Sequence, residues 1–218
     1  MVDIESVLST WRSCDGMGGP LPKAVRLWGS GGYGIWVSDT LGPAVPYLPV
    51  DHGNGTFNHG YVRLKGVPGA AAGIPEAQDW KELQAFLETV NASGSPIKSV
   101  GCEKAYFPGE EGMPPVKLGS YLDVVFTEVA LNDRPENLLM LATCLARAVE
   151  GCENWWADVS FALQRMRVLA SAKSPWGPEV SIKNYGRSED EARKFWGVTL
   201  ARLGMSVAKL PVDFHYVG

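Results

Sequence analysis

Residues 132–151 read NDRPENLLMLATCLARAVEG, and this stretch decides how the rest of the chain can be arranged. Asn132 or Asp133 can cap the first turn of a helix, and Pro135 stands where a helix needs no backbone N–H. From there to Gly151, a typical residue just beyond a helix end, the side chains are apolar on nearly every side. A helix of this kind is normally enclosed by other elements. The stretch therefore predicts a central core helix.

The segments on either side of this helix show strand patterns. Residues 121–130 (YLDVVFTEVA) are apolar and β-branched, which is typical of a strand. Residues 153–172 are ambiguous, because one spacing of their apolar residues fits a helix. The apolar residues from Ala157 to Leu163 also alternate as they would in a strand. We favour a strand near 156–163, because it would complete a strand–helix–strand unit around the core helix.

Further helices and strands are expected from the same kinds of pattern. Amphipathic spacing predicts helices at 2–12 and 76–90, and the capping box from Ser188 to Glu191 opens a helix that Gly204 ends. Strand patterns occupy residues 24–28 and 35–38 (a hairpin around a glycine turn), 61–65, 97–103, 178–183 and 205–217. Residues 1–218 are predicted to form a single globular α+β domain, in which a mixed or mainly antiparallel sheet packs against three to four helices.

The composition is that of a folded globular protein, with 45% hydrophobic and 20% charged residues. A net charge of -4 and a pI near 5.4 give no reason to expect direct binding to nucleic acid or to an acidic membrane. The N-terminal residues lack a signal-peptide pattern, and no stretch approaches the roughly 20 apolar residues of a membrane span. Four scattered cysteines without a C-x-x-C pair are expected to be reduced. We therefore expect a cytoplasmic protein.

The turn-rich segment from 39 to 60 is the first candidate surface for function, because loops of this length are usually functional or mobile. It contains Asp51, His52, Asn58 and His59. Two histidines and a carboxylate can bind a metal or serve as acid and base, but the H-x6-H spacing is not a usual ligand pattern. We expect these residues to contact a partner, and we predict no metal and no cofactor.

Two other places are predicted to contact a partner. The loop at 107–115 carries two adjacent acids, Glu110 and Glu111, that would complement a basic surface. Trp176 lies in the sequence SPWGP and is expected to be an exposed aromatic anchor. Most of the eight tryptophans fall on apolar faces and are expected to pack in the core.

Motifs of common catalytic and nucleotide-binding sites are missing from the sequence. Residues 30–34 (SGGYG) lack both the G-x-G-x-x-G spacing and a following helix, so a hairpin turn explains them better than a phosphate-binding loop. The chain contains no G-K-[ST], G-x-S-x-G or H-E-x-x-H motif. No catalytic residue is predicted, and we expect that the protein is not an enzyme.

The unit YLDVVFTEVALNDRPENLLMLATCLARAVEGCENWWADVSF combines a strand, a loop, a helix and a tryptophan-containing strand. Over residues 120–163 this arrangement resembles the later part of some bacterial immunity proteins from polymorphic-toxin and type VI secretion systems. Those proteins are small, mildly acidic α+β proteins that neutralise a cognate toxin by binding it. The resemblance rests on the pattern of elements, so it assigns no binding residue to this chain.

The resemblance implies a non-catalytic protein that binds a toxin acting in the cytoplasm, such as a nuclease effector, and blocks its active site. An acidic binder can occupy the basic substrate cleft of a nuclease and associate quickly through electrostatic attraction. The partner would be the toxin, without nucleic acid or membrane, and the protein would be a monomer or a homodimer. Two alternatives remain open. One is a small cytoplasmic enzyme built around Asp51, His52 and His59, and the other is a structural protein whose loops mediate assembly.

Overall fold

The computed structural model describes residues 1–16, 24–45, 47–51, 53, 57–168 and 175–217. In this part of the chain the helices are α1 (Ile4–Asp15), α2 (Lys81–Val90), α3 (Pro135–Ala148) and α4 (Glu189–Val207). The strands are β1 (Ala24–Ser30), β2 (Tyr33–Val45), β3 (Val50–Asp51), β4 (Phe57–Asn58), β5 (Ile97–Pro108), β6 (Val116–Phe126), β7 (Ala157–Val168) and β8 (Trp176–Gly186). Within these ranges, no helix combines the length and the apolar character needed to cross a membrane.

Six of the described strands form one mixed sheet, the main sheet, in the order β1-β2-β7-β8-β6-β5. Strands β2 and β7 run parallel, and the other neighbouring pairs run antiparallel. Strands β3 and β4 form a separate antiparallel ribbon. The predicted class, an α+β fold with a mixed sheet packed against helices, is confirmed.

Helix α3 is the buried core helix that the sequence predicts, but its start differs. Its N-cap is Arg134, not Asn132 or Asp133. Asn132 is buried instead, where it accepts a hydrogen bond from the Phe126 N–H at 2.8 Å and donates one to the Phe126 carbonyl at 3.0 Å. This amide side chain therefore joins the end of β6 to the segment that leads into α3.

The β6–α3–β7 crossover sets the order of the central strands. Strands β6 and β7 both run antiparallel to β8, so they are parallel to each other with β8 between them. The favoured strand near residues 156–163 is confirmed and extends further, as β7. The helix alternative is wrong for residues 157–168, because Val159, Phe161 and Leu163 alternate into the core in strand register.

The helices of the described chain lie on one side of the main sheet. Helix α3 contacts β2, β7 and β8, α4 contacts β6 and β8, α1 contacts β1, and α2 contacts β5. The indole N–H of Trp196 on α4 donates to the Ser120 hydroxyl on β6 at 2.8 Å, which places Ser120 on the helix side. Since successive strand residues alternate between sides, Tyr121 and Asp123 lie on the opposite side. We call this opposite side the open face.

Two predictions about the C-terminal region are wrong. Helix α4 passes through Gly204 and ends at Val207, because burial of Val207 outweighs the roughly 1 kcal/mol that a glycine costs inside a helix. Residues 208–217 form turns and irregular backbone instead of a strand. The Tyr216 N–H donates to the Asn137 side chain at 2.9 Å, so the tail is held against the start of α3 and does not pair with the sheet.

The region between β2 and residue 65 also differs from its prediction. Strand β2 continues to Val45, and the β3–β4 ribbon stands where an irregular loop was expected. Residues 61–65 are irregular and do not form the predicted strand. The Lys65 ammonium donates to the carbonyls of Ala92 at 2.8 Å and Ile97 at 2.9 Å, so side-chain bonds anchor this stretch in place of a strand ladder.

We expect Leu138→Ala to lower the free energy of unfolding by about 2–5 kcal/mol, because Leu138 is fully buried near the start of α3 and its truncation leaves a cavity. Urea denaturation followed by circular dichroism measures this change. Val198→Ala is the matched control, since Val198 is 39% exposed on α4 and should change stability by less than about 1 kcal/mol. Equal effects of the two substitutions would contradict the central role of α3.

Candidate functional site

The open face carries polar, aromatic and acidic side chains, and no helix of the described chain covers it. The strand register places two rows of residues side by side across this face. The first row is Trp36, Ala162, Glu179, Asp123 and Gly101. The second row is Gly34, Ser160, Ser181, Tyr121 and Glu103. Small residues in the middle strands therefore form a shallow floor between aromatic and acidic groups.

Two segments border this floor at its ends. One is the cover segment, residues 47–62, of which 47–51, 53 and 57–62 are described. It is fastened by the Tyr47 hydroxyl, which donates to the Asp123 carboxylate at 2.7 Å. The other is the turn 109–115, where the Glu110 carboxylate accepts from Lys183 at 3.3 Å. Lys183, which contacts this turn, lies four residues along β8 from Glu179 of the first row. At about 3.3 Å per residue, the turn is therefore anchored about 13 Å from that row. Both loops nominated from the sequence thus lie beside one surface.

Asp123 is an acid in an unusual position, 1% exposed in the middle of a sheet. Its Oδ1 has no hydrogen-bond partner among the described residues. Burial raises the pKa of Asp123 from 3.8 to about 7, the bond from Tyr47 acts in the opposite direction, and the charge of Glu179 raises the pKa further. Its neighbour on β5 is Gly101, where a Cβ would lie only 2.5 Å from the Tyr47 ring. Glycine therefore lets the cover segment approach the sheet.

A cleft of about 230 Å³ lies between the outer edge of β5 and the chain segments around residues 57–64 and 74–76. We call it the β5 cleft. Its side chains include four aromatic groups, Tyr47, Phe57, Tyr61 and Tyr121, and two acids, Glu76 and Glu103. Within the described chain, no lysine, arginine or histidine lines it.

The electrostatic environment of the β5 cleft is negative. Burial raises the pKa of the Cys102 thiol to about 12, with further contributions from the charges of Glu76 and Glu103. Burial, followed by the charge of Asp123, raises the pKa of Tyr121. Burial, the main cause of both shifts, disfavours a charge of either sign, whereas the smaller contributions of the neighbouring acids disfavour only a negative charge.

The polar residues nominated in the cover segment are held by local turns. The Asp51 carboxylate accepts from the Gly53 N–H at 2.8 Å, and the Asn58 side chain accepts from the Gly60 N–H at 2.9 Å. His59 is exposed, with its ring centre 4.9 Å from that of Phe57. His52 lies outside the described residues. Asn58 lines the β5 cleft, which Asp51 and His59 do not.

Apolar residues of the same segment are the ones that sequence reasoning missed. Five of its side chains are more than a third exposed: Leu48 58%, Val50 43%, Phe57 48%, Tyr61 37% and Val62 42%. Exposed apolar groups gathered in one segment are typical of a protein–protein contact. Their exposure could not be predicted from the sequence, because a proline- and glycine-rich composition indicates turns but not which side chains the turns expose.

The prediction that Trp176 is an exposed anchor is wrong. Trp176 is 6% exposed and begins β8, and its ring meets that of Trp11 edge to face at 5.6 Å. The Arg165 guanidinium lies 4.3 Å from the centre of the Trp176 ring. Pairing with the sheet, which the flanking prolines did not suggest, places this ring against α1.

Trp156 is the exposed tryptophan that the sequence did not distinguish from its neighbour. It is 45% exposed and has a φ of 53°, a backbone conformation that bulky residues rarely adopt. Its carbonyl accepts from the Tyr185 N–H at 2.9 Å, which places it at the end of the sheet bordered by the turn 109–115. A strained, exposed aromatic residue is typical of a functional position. The Trp155–Trp156 pair ahead of β7 was the available signal.

Glu110 and Glu111 are both exposed, but Glu110 is committed to ion pairs. Its carboxylate lies 2.9 Å from Lys117 and 3.3 Å from Lys183. Hydrogen bonds from Lys117 and then from Lys183 lower the pKa of Glu110 to about 2. Glu110 therefore fixes the position of the turn, whereas Glu111 is available at the surface.

Set against protein-family models, curated proteins and solved structures, the chain finds no match. In the described residues, no group of three or more histidine, cysteine or acidic side chains is arranged to hold a metal ion. The cysteines at 14, 102, 144 and 152 are unpaired.

We expect Asp123→Asn to change how stability depends on pH. Between pH 4 and pH 7 the folded Asp123 binds a proton that the unfolded chain releases, so this residue lowers stability as the pH rises, by up to about 1.4 kcal/mol per pH unit. The asparagine variant lacks this loss. The free energy of unfolding of this variant, relative to that of the wild type, should therefore increase from pH 4.5 to pH 7.5. Urea denaturation at each pH measures this difference.

The control for this titration is Glu5→Gln, which removes an exposed carboxylate in the first turn of α1. This variant gives the change in stability that removal of one exposed carboxylate produces over the same pH range. An Asp123→Asn curve that runs parallel to that of the wild type would contradict the raised pKa.

Proposed function

We propose that the protein is a non-catalytic immunity protein that binds a toxic enzyme acting in the cytoplasm, with a nuclease effector as the preferred partner, and blocks its active site. The observation that carries the proposal is the open face, a broad sheet surface without a helix layer in the described chain. Both loops nominated for partner contact border it. A face built on strands is held rigid, so docking costs little conformational entropy.

The acidic residues of this face would be the contacts for a basic partner, and they lie among four basic residues on the same side of the sheet, Arg26, Lys98, Lys117 and Lys183. Glu103 and Asp158 are exposed and Glu179 is half-buried, while the Lys183 ammonium is already shared between Glu110 and Asp158. The whole chain has a net charge of -4. A nuclease presents a basic cleft to its substrate, so an acidic face can cover that cleft and be guided to it by long-range attraction.

Two exposed aromatic residues lie beside the floor of the open face and can act as anchors. Trp156 lies at one end, and Phe57 lies at the other in the cover segment. Binding energy in protein interfaces is concentrated in a few such aromatic residues, and the surrounding polar contacts provide complementarity. The arrangement supports steric occlusion as the mechanism. The two anchors can contact the partner on either side of its active-site cleft, while the floor covers the opening of that cleft.

An enzyme is the second candidate, and Asp123 is the residue that favours it. A carboxyl group with a pKa of about 7 beside a cleft is a common feature of acid–base catalysts. However, Asp123 is 1% exposed and its carboxylate is bonded to Tyr47, which separates it from solvent. Asp123→Asn distinguishes the two functions, since it would abolish acid–base catalysis and leave a binding surface intact.

We expect co-expression with the toxic product of the neighbouring open reading frame to restore host growth and to yield a complex that co-purifies. Glu179→Arg should abolish rescue by placing a positive charge in the acidic floor. Trp156→Asn should weaken the complex at least tenfold, whereas stability should change by no more than about 1 kcal/mol, since asparagine tolerates the same backbone conformation.

The matched control for the charge reversal is Glu5→Arg, which makes the same change on the helix side and should preserve rescue. Urea denaturation of each variant establishes that loss of rescue is not loss of folding. A harmless neighbouring product that forms no complex would overturn the proposal.

We expect the association rate of the complex to fall at least about tenfold between 50 mM and 500 mM NaCl, because salt screens the attraction that steers the two surfaces together. Stopped-flow tryptophan fluorescence measures this rate. The dissociation rate should change much less. An association rate that is insensitive to salt would rule out the electrostatic part of the mechanism.

A further inference from the structure

The β5 cleft is lined by aromatic side chains. Tyr47, Phe57, Tyr61 and Tyr121 surround a space of about 230 Å³. This is smaller than the roughly 300–1,000 Å³ of sites for drug-sized ligands, so the space suits a single side chain better than a cofactor. The faces of aromatic rings attract cations.

The charged side chains that line the cleft in the described chain are both acidic. Glu76 and Glu103 line it, and Asp123 lies directly behind Tyr47 with one carboxylate oxygen unpartnered within the described chain. A cation in the cleft would compensate the carboxylates of Glu76 and Glu103. A neutral or anionic group would compensate neither of them.

The protein already contains an arginine held in the same manner. On the helix side, the Arg193 guanidinium lies 4.4 Å from the centre of the Trp80 ring and donates to the Glu82 carboxylate at 2.9 and 3.2 Å. The planar guanidinium can stack on a ring and bond to a carboxylate at the same time, which a lysine ammonium does less well. The β5 cleft offers rings and carboxylates without an arginine of its own among the described residues.

We propose that the β5 cleft receives an arginine side chain of the protein partner. The guanidinium stacks between the cleft tyrosines and pairs with Glu103 at the mouth. This inference rests on the proposed function and gives it a specific point of contact, at the edge of the open face where the cover segment meets β5. A partner arginine that normally contacts the phosphate of a nucleic acid would be sequestered there.

The first experiment is an NMR titration of the full chain with Nα-acetyl-arginine amide. The amide signals of Gly101 and Cys102 should shift in a saturable manner at millimolar ligand. Nα-acetyl-citrulline amide has nearly the same shape without the charge and should bind at least tenfold more weakly. Equal binding of the two compounds, or binding of neither, would overturn the inference.

Variants of the cleft test which contacts matter. Glu103→Gln removes the charge at the mouth, and Tyr61→Leu removes a ring while keeping an apolar side chain. Each should weaken arginine amide binding at least threefold, and Tyr61→Phe should restore it. Glu5→Gln should have no effect. Unchanged binding in both Glu103→Gln and Tyr61→Leu would overturn the inference.

The same variants separate this inference from the proposed function. In the co-expressed complex, Glu103→Gln and Tyr61→Leu should each raise the dissociation constant at least tenfold. If the wild-type complex forms and both variants bind the partner as tightly as the wild type, the arginine contact is overturned while the proposed function stands. If no complex forms with the wild type, the proposed function fails first.

Discussion

The structure depends on the burial of α3, whose apolar surface has to be covered on several sides at once. The main sheet covers one side, and α1 and α4 contact the flanks of this helix. Because the apolar residues of β6, β7 and β8 face the same layer, the described helices all collect there. None of these described helices covers the other side of the sheet, and this surface is the one to which we attribute the proposed function.

The open face contains a buried carboxylate whose hydrogen bonds only partly replace its lost solvation. Asp123 gains a hydrogen bond from Tyr47 but loses solvation, and its second oxygen has no partner in the described chain. The arrangement fastens the cover segment to the sheet beside the β5 cleft, whose acidic lining residues are Glu76 and Glu103. At the other end, Glu110 is used to fix the turn 109–115 through Lys117 and Lys183. Asp123 and Glu110 therefore have different structural roles, which the sequence alone does not distinguish.

Much of the fold was predictable, because hydrophobic periodicity reports local geometry. The core helix and the amphipathic helices follow from apolar spacings that fit a helix. The strand at 156–163 fitted both a helix and a strand pattern, and it was favoured because it completes a strand–helix–strand unit around the core helix. The errors arise where long-range packing overrides a local signal. Gly204 does not end α4 because Val207 beyond it is buried, and Trp176 is buried because its segment joins the sheet although prolines flank it.

The sequence by itself determined the α+β class, the buried helix, the mildly acidic charge and the two loops with candidate contact residues, since composition and short-range spacing carry all of these. Only the tertiary structure decided that both loops border one sheet face that no described helix covers, that Trp156 is exposed in place of Trp176, and that Asp123 lies buried behind Tyr47. These properties depend on strand order and register. They join residues such as Tyr47 and Asp123, which are 76 positions apart in the chain, and no local pattern encodes that proximity.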